Sequence, residues 1–376
     1  MNPLRRLPLS RLLLLCALVV GLGVSATAIA SAVGAGPTAP AKPLADAVHG
    51  ALSAPPVEGF SASVRLTDHL LEGASLAGEH GGTGLSSSPL LSGASGRVWI
   101  SEDGKVRLEL QQEKGDTEIY YDGRTVSMYD TSANTLYRYT PSTEAGSTSY
   151  APLDKTQAAP DASSTDQHEP PSVAKIEEAI TRLKQHVNVS GATPGDVAEQ
   201  PTYTVRVSPN EGGSLIGGAE LSWDANHGIP LRAAVYSTTS SSPVIELTAT
   251  GEVSYAPVAS SVFQFTPPPG VKIQEVKLPE KTASTSSAPA EGTSHPKITH
   301  QGHGVSSVVV AESTQTSTSK TSTLPEGLPR VKINGTTATE LPTALGTLLS
   351  FERSGVRYLV GGFVTPSTVE AVARGL

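Results

Sequence analysis

Residues 96–139 constrain the fold most, because short strand-like runs alternate there with turn signals. Val106, Leu108 and Leu110 share one parity, while the residues between them are charged. This alternation is typical of a strand that buries one face. Asp-Gly pairs and other turn residues separate the successive runs, which is a strong hairpin signal. The stretch therefore predicts five antiparallel strands in a meander, with one apolar and one solvated face.

The N-terminal 35 residues have the pattern of an export signal. Arginines at positions 5, 6 and 11 lead into an apolar run at 12–24, and small-residue cleavage candidates follow it. The run is shorter than the ~20 residues that a spanning helix prefers. We expect cleavage within residues 1–35; the alternative is an uncleaved N-terminal anchor. Cys16, the only cysteine of the sequence, would leave with the signal.

Composition bounds both the class of protein and the class of partner. The chain has 376 residues, a net charge of −8 and only 5% aromatic residues. It has no basic stripe of the kind that nucleic-acid binding requires, so no nucleic-acid partner is expected. The length suits one large and one small domain. We place them at residues 42–277 and 299–376, joined by a Ser/Thr/Pro-rich linker at 278–298.

Two amphipathic helices are predicted in the large domain. Leu44, Val48, Ala51 and Leu52 recur at helical spacing before a Pro-Pro pair. The second helix follows Ser172, a residue suited to the N-cap position. Its apolar stripe comprises Val173, Ile176, Ile180, Leu183 and Val187. Because each stripe needs an apolar surface to cover, both helices are expected to lie on the sheet.

Further strands are predicted before and after these helices. In the large domain they are placed at residues 60–67, 203–207, 219–224, 231–236, 244–250 and 252–255, and prolines at 267–269 end the sheet. The small domain is predicted to hold strands at 305–312 and 330–333, a hairpin at 348–360 and a last helix capped by Thr365. Residues 141–171 have the composition of an exposed insertion. The spaced leucines of residues 70–91 fit either a lid over an apolar cleft or a surface loop.

Residues that could carry chemistry are few. The sequence contains no nucleophile, zinc-protease or phosphate-loop motif, so neither an enzyme nor a cofactor is expected. His295, His300 and His303 suggest a metal site, but their Ser, Thr, Gly and Pro neighbours favour a solvated linker. Asp122 and Asp130 fall at turns, where aspartate commonly accepts backbone hydrogen bonds; the alternative is a pair of catalytic carboxylates.

The meander also resembles the core of a known family. It resembles LolA-like proteins in three segments: a strand with Arg107-Leu108-Glu109, an acidic turn, and residues 122–130 (DGRTVSMYD). LolA-like proteins are exported lipoprotein carriers and their relatives in actinobacterial envelopes. Residues 218–232 and 263–270 continue the resemblance. It implies an α+β fold: a strongly curved antiparallel sheet, the LolA-like half-barrel, covered by helices around an apolar cavity. Residues 299–376 resemble the small C-terminal α+β domain of RseB-like members.

A ligand-binding cleft is predicted on the concave face of this sheet. Its candidate residues are Leu66, Val98, Ile100, Val106, Leu108, Leu110, Met128, Ile176, Ile180 and Leu183. The sequence leaves open whether the helices fill the concavity or leave room for acyl chains. The resemblance implies a non-enzymatic carrier that binds a lipid or lipoprotein acyl chain. The alternative is an RseB-like envelope sensor that regulates a membrane-bound partner such as an anti-sigma factor.

Overall fold

The computed structural model describes residues 36–71, 93–113, 115–140, 170–276, 297–313, 324 and 328–376. Several sequence predictions lie outside these residues. They are the signal or anchor at 1–35, most of the leucine-rich segment at 70–91, nearly all of the insertion at 141–171, and the linker up to residue 296.

Thirteen strands of the described residues form one sheet, and its first half is the predicted meander. Each of the first six strands pairs antiparallel with the next. They are β1 (Gly59–Asp68), β2 (Ala94–Ser101), β3 (Val106–Gln112), β4 (Gly115–Tyr121), β5 (Val126–Asp130) and β6 (Thr135–Tyr139). The predictions of a strand at 60–67 and of five strands over 96–139 are confirmed.

The second half of the sheet joins the meander through β1. Its strands are β7 (Val187–Val189), β8 (Thr193–Val197), β9 (Gln200–Pro209), β10 (Ile216–Asp224), β11 (Pro230–Ser237), β12 (Pro243–Ser254) and β13 (Lys272–Glu275). The path runs from β13 through β6 to β1, then through β12 to β7. Its two ends do not pair in the described residues, so the sheet is open. The pairing therefore defines a large open sheet, and the strong curvature stays a prediction.

Three local predictions in this half are wrong. Residues 244–250 and 252–255 form one strand, because the irregularity at Glu252 (φ 50°) is a bulge opposite β1 and does not end the pairing. The sheet does not end at the prolines, since β13 follows them and pairs parallel with β6. Val187 is not part of the helical stripe, because it begins β7 and lies fully buried there.

Helix cover over the large sheet is minimal, contrary to the expectation of a helix-covered sheet. Helix α1 (Leu44–Ser53) packs at one end, where Ala47 and Ala51 lie in one cluster with Tyr203 and Trp223. Small side chains let the helix approach the sheet closely. Gly228, at φ +69°, is required there because a Cβ would lie 2.3 Å from the carbonyl oxygen of Ala51.

Helix α2 (Val173–Leu183) lies beside α1 and not over the meander. Its main contacts are with α1 and β7, at the far end of the strand order from β3. Ile176 is buried, while Ile180 and Leu183 are half-buried. The carbonyl oxygen of Pro171 lies 2.9 Å from His49 Nδ1 of α1, which fixes the start of α2. No helix among the described residues is both long and apolar enough to cross a membrane.

The face of the sheet opposite α1 carries a network of charged side chains. Arg232 bridges Glu220 (2.9 Å) and Glu246 (2.6 Å), and Arg206 also binds Glu220 (2.9 Å). Tyr236 donates a third hydrogen bond to Glu220 (2.7 Å). Burial alone would raise the pKa of Glu220, but the hydrogen bonds from Tyr236, Arg232 and Arg206 outweigh burial, so its pKa is lowered.

We predict that this network contributes stability above the ordinary glutamate pKa and loses it as the pH falls toward the lowered pKa of Glu220. Glu220→Gln should lower the free energy of unfolding at neutral pH by about 1–3 kcal/mol. It should also weaken the loss of stability in acid. Denaturant unfolding between neutral and acidic pH measures both effects.

The matched control is Glu252→Gln, since Glu252 also pairs with an arginine across the sheet but its side chain is 74% exposed. We expect it to change stability by less than about 1 kcal/mol. Equal effects of the two substitutions would show that the network around Glu220 has no special role.

A connecting segment crosses the same charged face and covers part of the meander. This strap, residues 256–270, is held by a hydrogen bond from Arg107 Nη1 to the carbonyl oxygen of Val262 (3.0 Å). The ring of Phe265 lies 4.7 Å from Tyr120 and 5.6 Å from Tyr129, measured between centroids. The strap then leads into β13 at the edge of the sheet. The meander is therefore covered on its charged face.

The C-terminal residues form a second, six-stranded sheet with one helix. The strands are β14 (Lys297–Gln301), β15 (Val308–Ser313), β16 (Arg330–Ile333), β17 (Thr336–Pro342), β18 (Thr347–Arg353) and β19 (Val356–Gly362). Helix α3 (Pro366–Arg374) covers one face, with Val369 and Ala373 fully buried. The α+β character, the hairpin at 348–360 and the last helix are confirmed.

Two C-terminal predictions need correction. Residues 297–301 form β14 and pair with β15, so the predicted linker at 278–298 overlaps a strand at its last two residues. His300 is exposed, but it lies in this strand and not in a linker. The strand predicted at 305–312 begins later, at Val308, after a short helical turn at 304–306. The two sheets meet through hydrogen bonds from Leu215 to Phe363 (2.7 Å) and from Ala344 to Leu70 (2.9 Å).

Glu340 is a buried carboxylate inside this C-terminal unit. It is 6% exposed, and its Oε1 atom has no hydrogen-bond partner. Burial raises its pKa, and the negative charge of Glu370 on α3 raises it further. A raised pKa means that the stabilising contribution is complete below the ordinary glutamate pKa and is lost as the pH rises through the raised value.

We therefore predict that Glu340→Gln makes the C-terminal unit less sensitive to rising pH, because the charge that has to be desolvated is removed. Thermal unfolding from weakly acidic to neutral pH measures the effect. Glu352→Gln is the control, since Glu352 is exposed on β18. The same pH dependence in the Glu340→Gln protein as in the wild type would contradict the prediction.

Candidate functional site

The cross-strand register places the predicted strand residues on one side of the sheet. Val98 pairs with Leu108 and Ile100 pairs with Val106, so these four side chains share a face. The same register continues to Met128 through β4, and Leu110 and Leu66 follow by parity. We call this side the apolar face. Seven of the ten sequence-predicted residues lie on it.

The other three predicted residues are not brought to the same place. Ile176, Ile180 and Leu183 lie on α2, which packs against α1 and β7 and not against β3. The structure thus separates the helical part of the predicted cleft from its strand part. The reason is a long-range one: the apolar stripe of α2 finds its partner surface on α1 at the end of the sheet.

The apolar face extends well beyond the residues predicted from the meander. Leu66 pairs with Leu247, which pairs with Ala233, and the row continues into β10 and β9. The additional apolar side chains on this face include Phe60, Ala62, Val64, Ile119, Val205, Val207, Ala219, Leu221, Val235, Ile245, Leu247 and Ala249. Alternation at residues 219–223 and 244–247 was a signal for them, but sequence alone does not tell which strands become neighbours.

Burial along the apolar face is uneven. Ile100 and Leu110 are fully buried, at 3% and 1% exposure. Phe60 and Ala62, the partners of Ile100 and Val98 on β1, are also buried, and Val98 and Val106 pack against the core cluster to which they belong. Leu108, Ile119 and Met128, farther along the face, are half-buried. A closed core would bury such side chains almost completely. Among the described residues, the accessible part of the apolar face therefore lies around Leu108, Ile119 and Met128.

The chemistry of this face is that of passive burial. The rows through Val106 and Leu108 consist of apolar side chains and tyrosines, whereas the row through Leu110 also contains Thr117 and Asp130. The two apolar rows can shelter a hydrocarbon chain. Each buried methylene contributes ~0.8 kcal/mol.

The charged candidates have structural roles in the described residues. Asp122 Oδ1 accepts hydrogen bonds from the backbone of Arg124 and Thr125. Asp130 Oδ1 accepts one from the backbone of Ala133. Both carboxylates therefore stabilise turns, as the turn interpretation predicts.

Sequence reasoning missed one buried cluster, around Asp224 at the end of β10. Asp224 accepts hydrogen bonds from Tyr255 OH (2.9 Å) and from the backbone of Asn226 (2.8 Å), and His227 Nδ1 lies 3.0 Å away. Burial and the charge of Asp224 raise the pKa of Tyr255. The carboxylate caps the β10–β11 turn, and we assign it no reactive role. No group of three metal-ligating side chains occurs among the described residues; His295 lies outside them.

Comparison with known proteins finds similar solved structures only. The complex of Pseudomonas aeruginosa MucA and MucB matches with a TM-score of 0.39 and 15% identity, over 88% of this chain and 94% of that chain. A crystal structure of MucB gives 0.37 and 14%, over 88% and 95%. A LolA superfamily protein from Nitrosomonas europaea gives 0.19 and 8%, over 86% and 94%. No protein-family model and no curated protein sequence matches the chain.

One of these similar structures is a member of the LolA superfamily. Every TM-score is below 0.5 and every identity is below 25%. Function is therefore inferred from the residues of this chain.

Proposed function

We propose that the protein is an exported, non-enzymatic component of the cell envelope that binds a lipid or lipoprotein acyl chain on its apolar face. The observation that supports this is the half-buried aliphatic surface around Leu108, which α1 and α2 leave uncovered. A sixteen-carbon chain laid on such a surface has ample gross free energy of burial, most of which ordering costs offset.

The first experiment is extraction. Protein purified from its native envelope without detergent is treated with organic solvent, and the extract is analysed by mass spectrometry. We expect acylated lipid in stoichiometric amounts. Extracts that contain only the background lipids of a control protein would contradict the proposal.

The second experiment tests whether the apolar face is the one that binds the acyl chain. Leu108→Asp places a charge in the middle of the apolar face and should reduce binding of a fluorescent fatty acid by at least about tenfold, because burying an unpaired carboxylate costs several kcal/mol. Glu109→Gln is the matched control on the neighbouring position of β3, whose side chain points to the charged face. It should bind fatty acid as the wild type does.

Circular dichroism and thermal unfolding of both variants check that each is folded. Met128→Asp on β5 provides a second charge on the same face if Leu108→Asp unfolds the protein. Equal losses in the apolar-face and charged-face variants would show that the face assignment is wrong.

A second candidate function is an envelope sensor that contacts a membrane-bound partner, such as an anti-sigma factor, through the C-terminal unit. The observation that favours it is on the sheet face opposite α3. Ile298 and Leu359 are 52% and 37% exposed there, on strands that flank β15. A partner recovered with the wild type but lost with Leu359→Asp would support this function, and unchanged recovery would oppose it.

A further inference from the structure

One row of the apolar face lies where strands β3 to β6 begin or end, beside the β4–β5 turn. Val106, Tyr121, Val126 and Tyr139 are direct cross-strand partners on β3, β4, β5 and β6. We call these four residues the edge row. Val126 is 38% exposed, and the tyrosines on either side of it are half-buried. An apolar side chain is thus presented to the outside between two amphipathic rings.

The edge row is continuous with the proposed acyl-chain surface. The next row consists of Leu108, Ile119, Met128 and Tyr137, again in direct register. No charged side chain separates the two rows on this face. A hydrocarbon chain could therefore pass from the exposed end at Val126 to the surface around Leu108 without crossing a charged group.

The combination of side chains matches the headgroup region of a bilayer. Tyrosine has an apolar ring and a polar hydroxyl, and it is enriched where membranes meet water. The adjoining turn carries Asp122 and Arg124, both exposed. Asp122 accepts backbone hydrogen bonds within the turn, and Arg124 is the charge that a lipid phosphate would contact.

We propose that the edge row lies in the headgroup region of a lipid bilayer and that acyl chains cross it between the membrane and the apolar face. The inference rests on the proposed function, because it names the route by which that face is loaded. The occupant of the edge row is a lipid surface and not a second protein.

The test uses the full chain with a single fluorescent reporter. Cys16 is the only cysteine, so Cys16→Ser combined with Thr125→Cys gives one labelling site beside Val126. An environment-sensitive fluorophore at this site should gain intensity when phosphatidylcholine vesicles are added. The N-terminal segment is common to every variant, so differences between variants report the edge row.

Two matched controls define specificity. Glu275→Cys, in the same Cys16→Ser background, places the label on exposed β13 at a residue whose partner Arg138 lies on the charged face. Ile273→Asp adds a charge at a more exposed apolar residue, 54% exposed, whose partner Leu136 points to the charged face. The label at position 275 should not respond to vesicles, and Ile273→Asp should not alter the response of the label at position 125.

Val126→Asp should weaken the vesicle response of the label at position 125 by about tenfold in vesicle concentration, the change expected when burial of one valine is lost. Its binding of a soluble fluorescent fatty acid should remain as in the wild type. A label at position 125 that does not respond to vesicles, or a label at position 275 that responds equally, would overturn the proposal. Loss of soluble fatty-acid binding in Val126→Asp would also overturn it, since the row would then belong to the ligand site.

The measurement of fatty-acid binding distinguishes a failure of this inference from a failure of the proposed function. A wild type that binds no soluble fatty acid, with a vesicle response that Val126→Asp abolishes, would refute the carrier function and support membrane contact by the edge row. Fatty-acid binding without any vesicle response would support the carrier function and refute the edge row as a membrane contact.

Discussion

The segregation of side chains onto two faces of one sheet is the constraint on which the rest of the structure depends. Strand residues alternate sides, so a one-residue slip of β3 would bring Arg107 to the apolar face and Leu108 to the charged face. Ion pairs such as Arg232 with Glu220 oppose such a slip at the other half of the sheet. The pairing register of the strands is thus set by apolar burial on one face of the sheet and by ion pairs on the other.

The charged face also explains how the apolar face can remain accessible. The strap packs Phe265 on Tyr120 and Tyr129, and Arg107 fixes its backbone, so the meander has a covered side without a helix on the apolar face. Helix α1 covers the apolar face only near Trp223. Stability and an accessible apolar surface are therefore assigned to different parts of the same sheet. This division is what a protein that binds hydrocarbon reversibly requires.

Much of the meander could be predicted because local alternation and Asp-Gly turns determine it. The face shared by Val98, Leu108 and Met128 followed from parity alone. The elements that were missed, such as β8 with its Thr-Pro-Gly sequence and β13 after the prolines, lack alternation and form by pairing with distant strands. The position of α2 depends on contact with α1, which no local pattern encodes.

Photolabelling tests the central claim, that the apolar face is the acyl-chain site, most directly. A fatty acid with a diazirine near the end of its chain is bound to the folded protein, irradiated and mapped by mass spectrometry. The account predicts saturable labelling at apolar-face residues such as Val98, Leu108 and Met128. Labelling concentrated on charged-face residues such as Glu109 or Tyr120, or labelling that does not saturate, would contradict it.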